Sequence, residues 1–158
     1  MNPMMAGIAP LVGEGIVGGL VNLKNEKLTN WEIKNGNFIY FDFQAITLPN
    51  KPIFKTLPKI AVLTSRWTQS SGELVATALK GRPNTRFFGE ATGGYTTNTN
   101  FEEVGEIIIN LTTGIYCDRN GVSYEKNIPV DIEIPFEVIS DNEKDACIIA
   151  ARKWLRGE

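Results

Sequence analysis

The residues best placed to do chemistry lie between positions 59 and 79. An apolar run, Lys59-Ile60-Ala61-Val62-Leu63-Thr64, leads through a short turn into Ser70-Ser71-Gly72-Glu73. The S-x-x-E spacing is that of a capping box and predicts a helix start. Leu74, Val75, Ala78 and Leu79 then fall on one helical face, and Gly81 and Pro83 end the pattern. A serine on the first turn of a helix faces unpaired backbone N–H groups and a positive local potential. Those conditions favour an alkoxide and a developing oxyanion, so the chemistry open to Ser70 is nucleophilic attack on an acyl carbon. By position alone, Ser70 reads as a plain N-cap. Ser71 is the rival nucleophile, and Glu73 reads as the capping partner rather than a catalytic acid.

The chain contains no histidine. A Ser-His-Asp triad, a histidine metal site and a histidine pH switch therefore cannot be assembled from its own residues. Cys117 and Cys147 are the two cysteines, too few for a disulfide framework or a zinc cage. Asp118, Asp131, Glu133 and Asp141 are scattered and form no metal pattern. Gly89-x-x-x-Gly93-Gly94 lacks the G-K-[ST] of a phosphate loop. Gly13-Glu14-Gly15-Ile16-Val17-Gly18 has dinucleotide-type spacing without a capped helix behind it. Trp31, Trp67 and Trp154 form no stacking platform; Trp67, close to Ser70 in sequence, reads either as a core residue or as lining a substrate pocket.

The elements that must position Ser70 alternate between strand and helix. Residues 2–11 have helical composition and stop near Pro10 and Gly13. Residues 15–23 read as a buried Gly- and Val-rich strand with close backbone neighbours. Two short strands are predicted within 30–41, around Asn35-Gly36-Asn37. Residues 43–57 read as a Pro-punctuated connection. The run at 59–64 reads as a central parallel strand, and 85–89 as the next strand. Residues 91–100 read as a loop, 106–110 and 113–117 as separate strands, and 128–134 as a last strand. A C-terminal helix is predicted behind a second capping box, Ser140-Asp141-Asn142-Glu143, with Cys147, Ile148, Ala151, Trp154 and Leu155 on one face. The pattern is α/β with an antiparallel extension near 99–117.

At 158 residues the chain is long enough for one domain with a sizeable core. Its 16 Lys+Arg against 18 Asp+Glu, a formal charge of −2, leave no electrostatic footprint for nucleic acid or an anionic membrane. The stretch from Met4 to Leu23 is interrupted by Pro10, Glu14 and glycines. It matches neither a membrane span nor a signal peptide.

Three ordered segments carry a family resemblance. Ala61 to Thr64, then Thr68-Gln69-Ser70-Ser71-Gly72-Glu73, matches an apolar strand followed by T-x-S-[SA]-[SAG]-E. Gly89-Glu90-Ala91-Thr92-Gly93-Gly94 matches G-E-x-T-x-G. Tyr124 to Ile134 resembles the later G-I-x-P-D-I-x-V stretch, with Val130-Asp131 in place of P-D. Together these resemble the S41 peptidases, the C-terminal-processing and tricorn-like serine proteases. Met4 to Leu11 also resembles the helix that follows the family's R-G-N-x-G-G segment.

The resemblance implies a ClpP/crotonase-like α/β fold of stacked ββα units with a C-terminal helix. Residues 1–158 would be the C-terminal part of the catalytic domain, truncated at its N-terminus. It further implies peptide-bond hydrolysis through an acyl-enzyme at Ser70 without metal or organic cofactor, with the Ser71 amide as an oxyanion donor and polypeptides as substrates. Glu125 falls near the supporting carboxylate of the tricorn-like branch. The family's setting is extracytoplasmic or at the cell envelope. Two departures bear on activity. Tyr95 stands where the Ser/Lys branch has its base, and a phenol is mostly protonated at neutral pH. Lys80 lies about two and a half helical turns from Ser70. The general base is therefore expected from outside this chain, which alone would be slow or inactive. A non-catalytic peptide-binding domain is the alternative. A crotonase-type acyl-CoA enzyme would need a base over a CoA pocket, which no stretch suggests.

Overall fold

The computed structural model describes residues 2–41, 43–46, 54, 56–138, 141 and 143–158. Its first element is a helix, α1 (Asn2–Val12), whose Met5, Ala6, Ala9 and Val12 are buried. Pro10 lies inside this helix rather than at its end. The carbonyls left open at its C-terminus are taken up by two arginines from elsewhere in the chain. Arg82 Nε donates to Leu11 O at 2.7 Å, and Arg119 Nη2 donates to Val12 O at 3.3 Å.

Four strands follow: β1 (Gly15–Val21), β2 (Lys27–Lys34), β3 (Asn37–Tyr40) and β4 (Phe43–Ile46). The β2–β3 turn is closed by Asn35 and Gly36, both with positive φ, as the Asn-Gly pair predicts. The Glu14 carboxylate accepts the amide hydrogens of both residues. The strand β4 occupies the start of what reads in sequence as a connection, while Pro49 and Pro52 lie outside the described residues. In β1 a Cβ on Gly18 would come within 2.8 Å of both Cys117 O and the Trp31 ring, so the close neighbours expected of this strand are present.

Next come β5 (Ile60–Thr64), α2 (Ser71–Leu79) and β6 (Thr85–Gly89). The chain continues through β7 (Thr97–Val104), β8 (Ile107–Asp118), β9 (Ile132–Glu133) and α3 (Ala146–Arg156). Antiparallel pairing orders six strands as β4-β3-β2-β1-β8-β7, and a second, parallel sheet runs β5-β6-β9. The protein is thus a mixed α/β fold with an antiparallel sheet and a C-terminal helix.

Several local expectations change. The β5 strand is parallel but forms an edge of its sheet among the described residues; β6 is central. Residues 107–118 form one strand, because Thr112 in the expected gap is β-branched and suits the pleat. The last strand shrinks to two residues, since Pro129 and Pro135 cannot donate to a ladder. The cap of α3 is Asp145, whose carboxylate accepts Cys147 N at 2.8 Å and Ile148 N at 3.1 Å. An aspartate directly before the helix reaches its free amides. Ser140 and Asn142 of the expected box lie outside the described residues. On α3 the expected apolar face is only shallowly covered: Ala151 is buried, but Leu155 is exposed.

The core joins the antiparallel sheet to α1 and α2. Trp31, Ile33, Phe38, Val17 and Leu20 from the sheet meet Met5, Ala9 and Val12 of α1 and Leu74 and Ala78 of α2. Trp31 is fully buried and meets the Tyr116 ring edge-on at 5.3 Å. This packing seats α2, and with it the start of the helix where Ser70 stands.

Candidate active site

The β5 strand ends at Thr64, and the chain reverses over 65–70 before α2 begins. The reversal is closed by Thr68 N donating to Ser65 O at 2.8 Å and by Ser65 N donating to the Thr68 hydroxyl. Ser70 is exposed at the end of this turn, immediately before α2. Its backbone is at φ 51° and ψ −113°. A non-glycine residue there is strained by about 1–3 kcal/mol and persists only where its surroundings hold it. The same sharp strand-to-helix reversal lifts a nucleophilic serine clear of the sheet in unrelated hydrolases.

Glu73 holds this reversal from beneath. It is fully buried. One carboxylate oxygen accepts the Ser70 N–H at 2.9 Å, and the other accepts the Gly94 N–H at 2.8 Å. The helix is tied further by Leu74 N donating to Ser70 O and by the Thr77 hydroxyl donating to Glu73 O. Glu73 is therefore a capping residue, as expected, and also a cross-link to a loop far along the chain.

That loop follows β6 and carries Gly93 and Gly94. Gly93 N donates to Thr68 O at 2.9 Å, and a Cβ on Gly93 would meet Gln69 Cγ at 2.5 Å and Arg66 O at 2.6 Å. Gly94 has φ 92°, and a Cβ there would meet Lys126 O at 2.3 Å. Glycine is required at both places, by contact at the first and by contact and conformation together at the second. The loop is also stitched to the 124–128 segment. Thr92 N donates to Ile128 O, Ile128 N donates to the Thr92 hydroxyl, and the Thr96 hydroxyl donates to Tyr124 O.

The predicted site residues fall as follows. Ser70 and Ser71 stand together at the start of α2, Ser70 exposed and Ser71 half-buried. Glu125 is exposed on the segment stitched to the glycine loop, and its carboxylate makes no hydrogen bond or ion pair with a described residue. Tyr95 is exposed beside Gly94. Lys80 is at the far end of α2, its ammonium 3.9 Å from the centre of the Phe87 ring. Burial lowers its pKa, but it is a whole helix away from Ser70. Trp67 is 68% exposed and thus belongs to the surface around Ser70, not to the core.

Sequence reasoning missed the second bond of Glu73 and the packing of Gly93 on the turn. The adjacent glycines of the G-E-x-T-x-G stretch were the available signal.

Beside the turn, Arg66 pairs with Glu90 at 2.9 Å, and Glu90 also accepts Phe136 N at 3.1 Å. The Phe136 amide foremost, and the Arg66 amide and charge after it, hold the Glu90 carboxyl below its ordinary range. A cavity of about 310 Å³ lies elsewhere, lined by residues including Asn22, Lys24, Glu26 and Thr113. Ser70 does not line it. Among the described residues, no group of three or more His, Cys, Asp or Glu is arranged to hold a metal ion, and no helix is long and apolar enough to cross a membrane.

The family model of Peptidase family S41 matches residues 24–134, a span that includes the turn, the glycine loop and the 124–128 segment. The Nisin-resistance protein of Lactococcus lactis subsp. lactis is 30% identical over 159 residues, covering 100% of this chain and 46% of that protein. A solved structure of a lipoprotein from Streptococcus agalactiae superposes with a TM-score of 0.69 at 26% identity, over 99% of this chain and 50% of the other. The photosystem II D1 C-terminal processing protease superposes with a TM-score of 0.57 at 19% identity, over 90% of this chain and 34% of the other; that likeness is one of fold. The chain spans about half the length of the curated relative it matches.

Proposed function

The chain belongs to peptidase family S41, and from that premise we propose that it is the C-terminal part of a serine-type peptidase domain acting through Ser70. The observation that carries this reading is the exposed Ser70 at φ 51°, strained at the head of α2 and held from below by Glu73. The fold reading that goes with it is ClpP/crotonase-like, of stacked ββα units with a C-terminal helix.

In the reaction, Ser70 Oγ attacks the carbonyl carbon of a polypeptide as its proton passes to a base. The Ser71 N–H, free at the first turn of α2, donates to the oxyanion. Collapse of the tetrahedral intermediate breaks the C–N bond, and the base returns the proton to the leaving amine. Water then hydrolyses the ester and restores the Ser70 hydroxyl. The base comes from residues beyond this chain, because there is no histidine here and Lys80 sits at the wrong end of α2. Glu125 is the carboxylate assigned to support that base. An extracytoplasmic or cell-envelope setting is in keeping with the lipoprotein among the structural relatives.

A fluorophosphonate probe tests the reading. Ser70-dependent labelling is expected, faster when imidazole is added as a base in solution, with none in the Ser70→Ala variant. Equal labelling of the wild type and that variant would overturn the assignment. The missing base favours a second reading, a peptide-binding domain without catalysis. It predicts peptide binding with no labelling, even in imidazole.

A further inference from the structure

A capping glutamate needs one bond, to the amide of the N-cap residue. Glu73 makes a second, to Gly94, which lies 21 positions later in a different loop. It makes both while fully buried, and among the described residues no cation pairs with it. We propose that Glu73 is a positioning residue whose two carboxylate oxygens bridge the Ser70 and Gly94 amides, holding the nucleophile's turn in register with the glycine loop. The proposal rests on the reading of Ser70 as nucleophile.

The chemistry of the side chain supports the role. Only an ionised carboxylate offers an acceptor on each side at this reach. A glutamine would accept one amide and turn its NH2 group towards the other. Two charge-assisted bonds and the positive end of α2 compensate the buried charge.

The geometry shows what the bridge joins. On one side is Ser70, at a backbone conformation that needs an outside restraint. On the other is the loop whose Gly93 packs on the 66–69 turn and whose Gly94 packs on Lys126 O. The bridge thus connects the attacking residue to the segment that carries Glu125. Thr68 O, accepting from Gly93 N, closes the same ring from the other side of the turn.

The test uses Glu73→Gln and Glu73→Asp in the whole chain, with three readouts. These are thermal unfolding, amide hydrogen exchange at Ser70 and Gly94, and the rate of fluorophosphonate labelling at Ser70. In the wild type, both amides are expected to exchange slowly and together. In folded Glu73→Gln at least one should lose its protection. Labelling should then fall at least about tenfold, the change expected when the free energy of one charge-assisted hydrogen bond that positions Ser70 is lost from the reactive arrangement. Glu73→Asp, one methylene short of bridging both amides, should not restore the rate. A purely structural role would lower the melting temperature and leave the labelling rate of the folded protein unchanged, which would overturn the proposal. If Glu73→Gln fails to fold, wild-type exchange decides. Open-loop exchange at either amide refutes the bridge, and joint protection supports it. Joint protection in a wild type whose Ser70 never labels would instead remove Ser70 as nucleophile and leave the bridge standing.

Discussion

Replacing Ser70 by glycine should make the protein more stable while removing its proposed nucleophile. The reasoning starts from φ 51° and ψ −113°, a conformation that a side chain with a Cβ adopts only under strain. Relief of that strain is worth about 1–3 kcal/mol. Against it stands the extra chain entropy of glycine, about 0.5–1 kcal/mol. Losing the serine at the N-cap costs only a few tenths more, roughly, when glycine replaces it. The balance is a gain of about 1 kcal/mol, or a rise in melting temperature of about 2–4 °C for a domain of this size. Ser70→Ala is the control: it also deletes the hydroxyl but keeps the Cβ, so it should gain nothing. The bond from the residue 70 amide to Glu73 is a backbone bond and survives in both variants. Thermal and urea unfolding of the three proteins, side by side, provide the assay. A Ser70→Gly variant no more stable than Ser70→Ala would refute the idea that strain is stored at this turn.

Two further predictions concern groups around the site and the core. Because Phe136 N and Arg66 hold the folded Glu90 carboxyl below its ordinary 4.5, its contribution is present above that value and is lost as pH falls through the lower folded value. Glu90→Gln should therefore flatten the acid side of the stability profile, measured as urea midpoints between about pH 6 and pH 3; an unchanged slope would count against the pairing. Tyr124→Phe removes the 2.9 Å bond from the Tyr124 hydroxyl to Asp118 Oδ2 inside the core. It should cost about 1–3 kcal/mol in chemical denaturation, because a buried carboxylate oxygen loses its donor.

Much of the local structure was legible in the chain. The S-x-x-E box located the start of α2, Asn35-Gly36 located the β2–β3 turn, and the apolar run at 59–64 located β5. These signals act within a few residues, where capping, turn conformation and periodicity operate. Errors came where neighbours distant in sequence decide. Of the two readings open for Trp67, core packing fails, because its position on the outside of the turn leaves it exposed. The expected box set the start of α3 too early; the cap is Asp145, at a place that only the actual course of the chain before α3 fixes.

For the site, residue types and their order were enough to single out Ser70, to point to family S41 and to show that no histidine could serve as base. Three things depended on the folded chain: the positive φ of Ser70, the reach of Glu73 to Gly94, and the packing of that loop against the segment bearing Glu125. The physical reason is one of range. A serine's reactivity begins with its own chemistry, but its backbone strain and its supports are set by contacts across 21 to 36 residues, which no local pattern encodes.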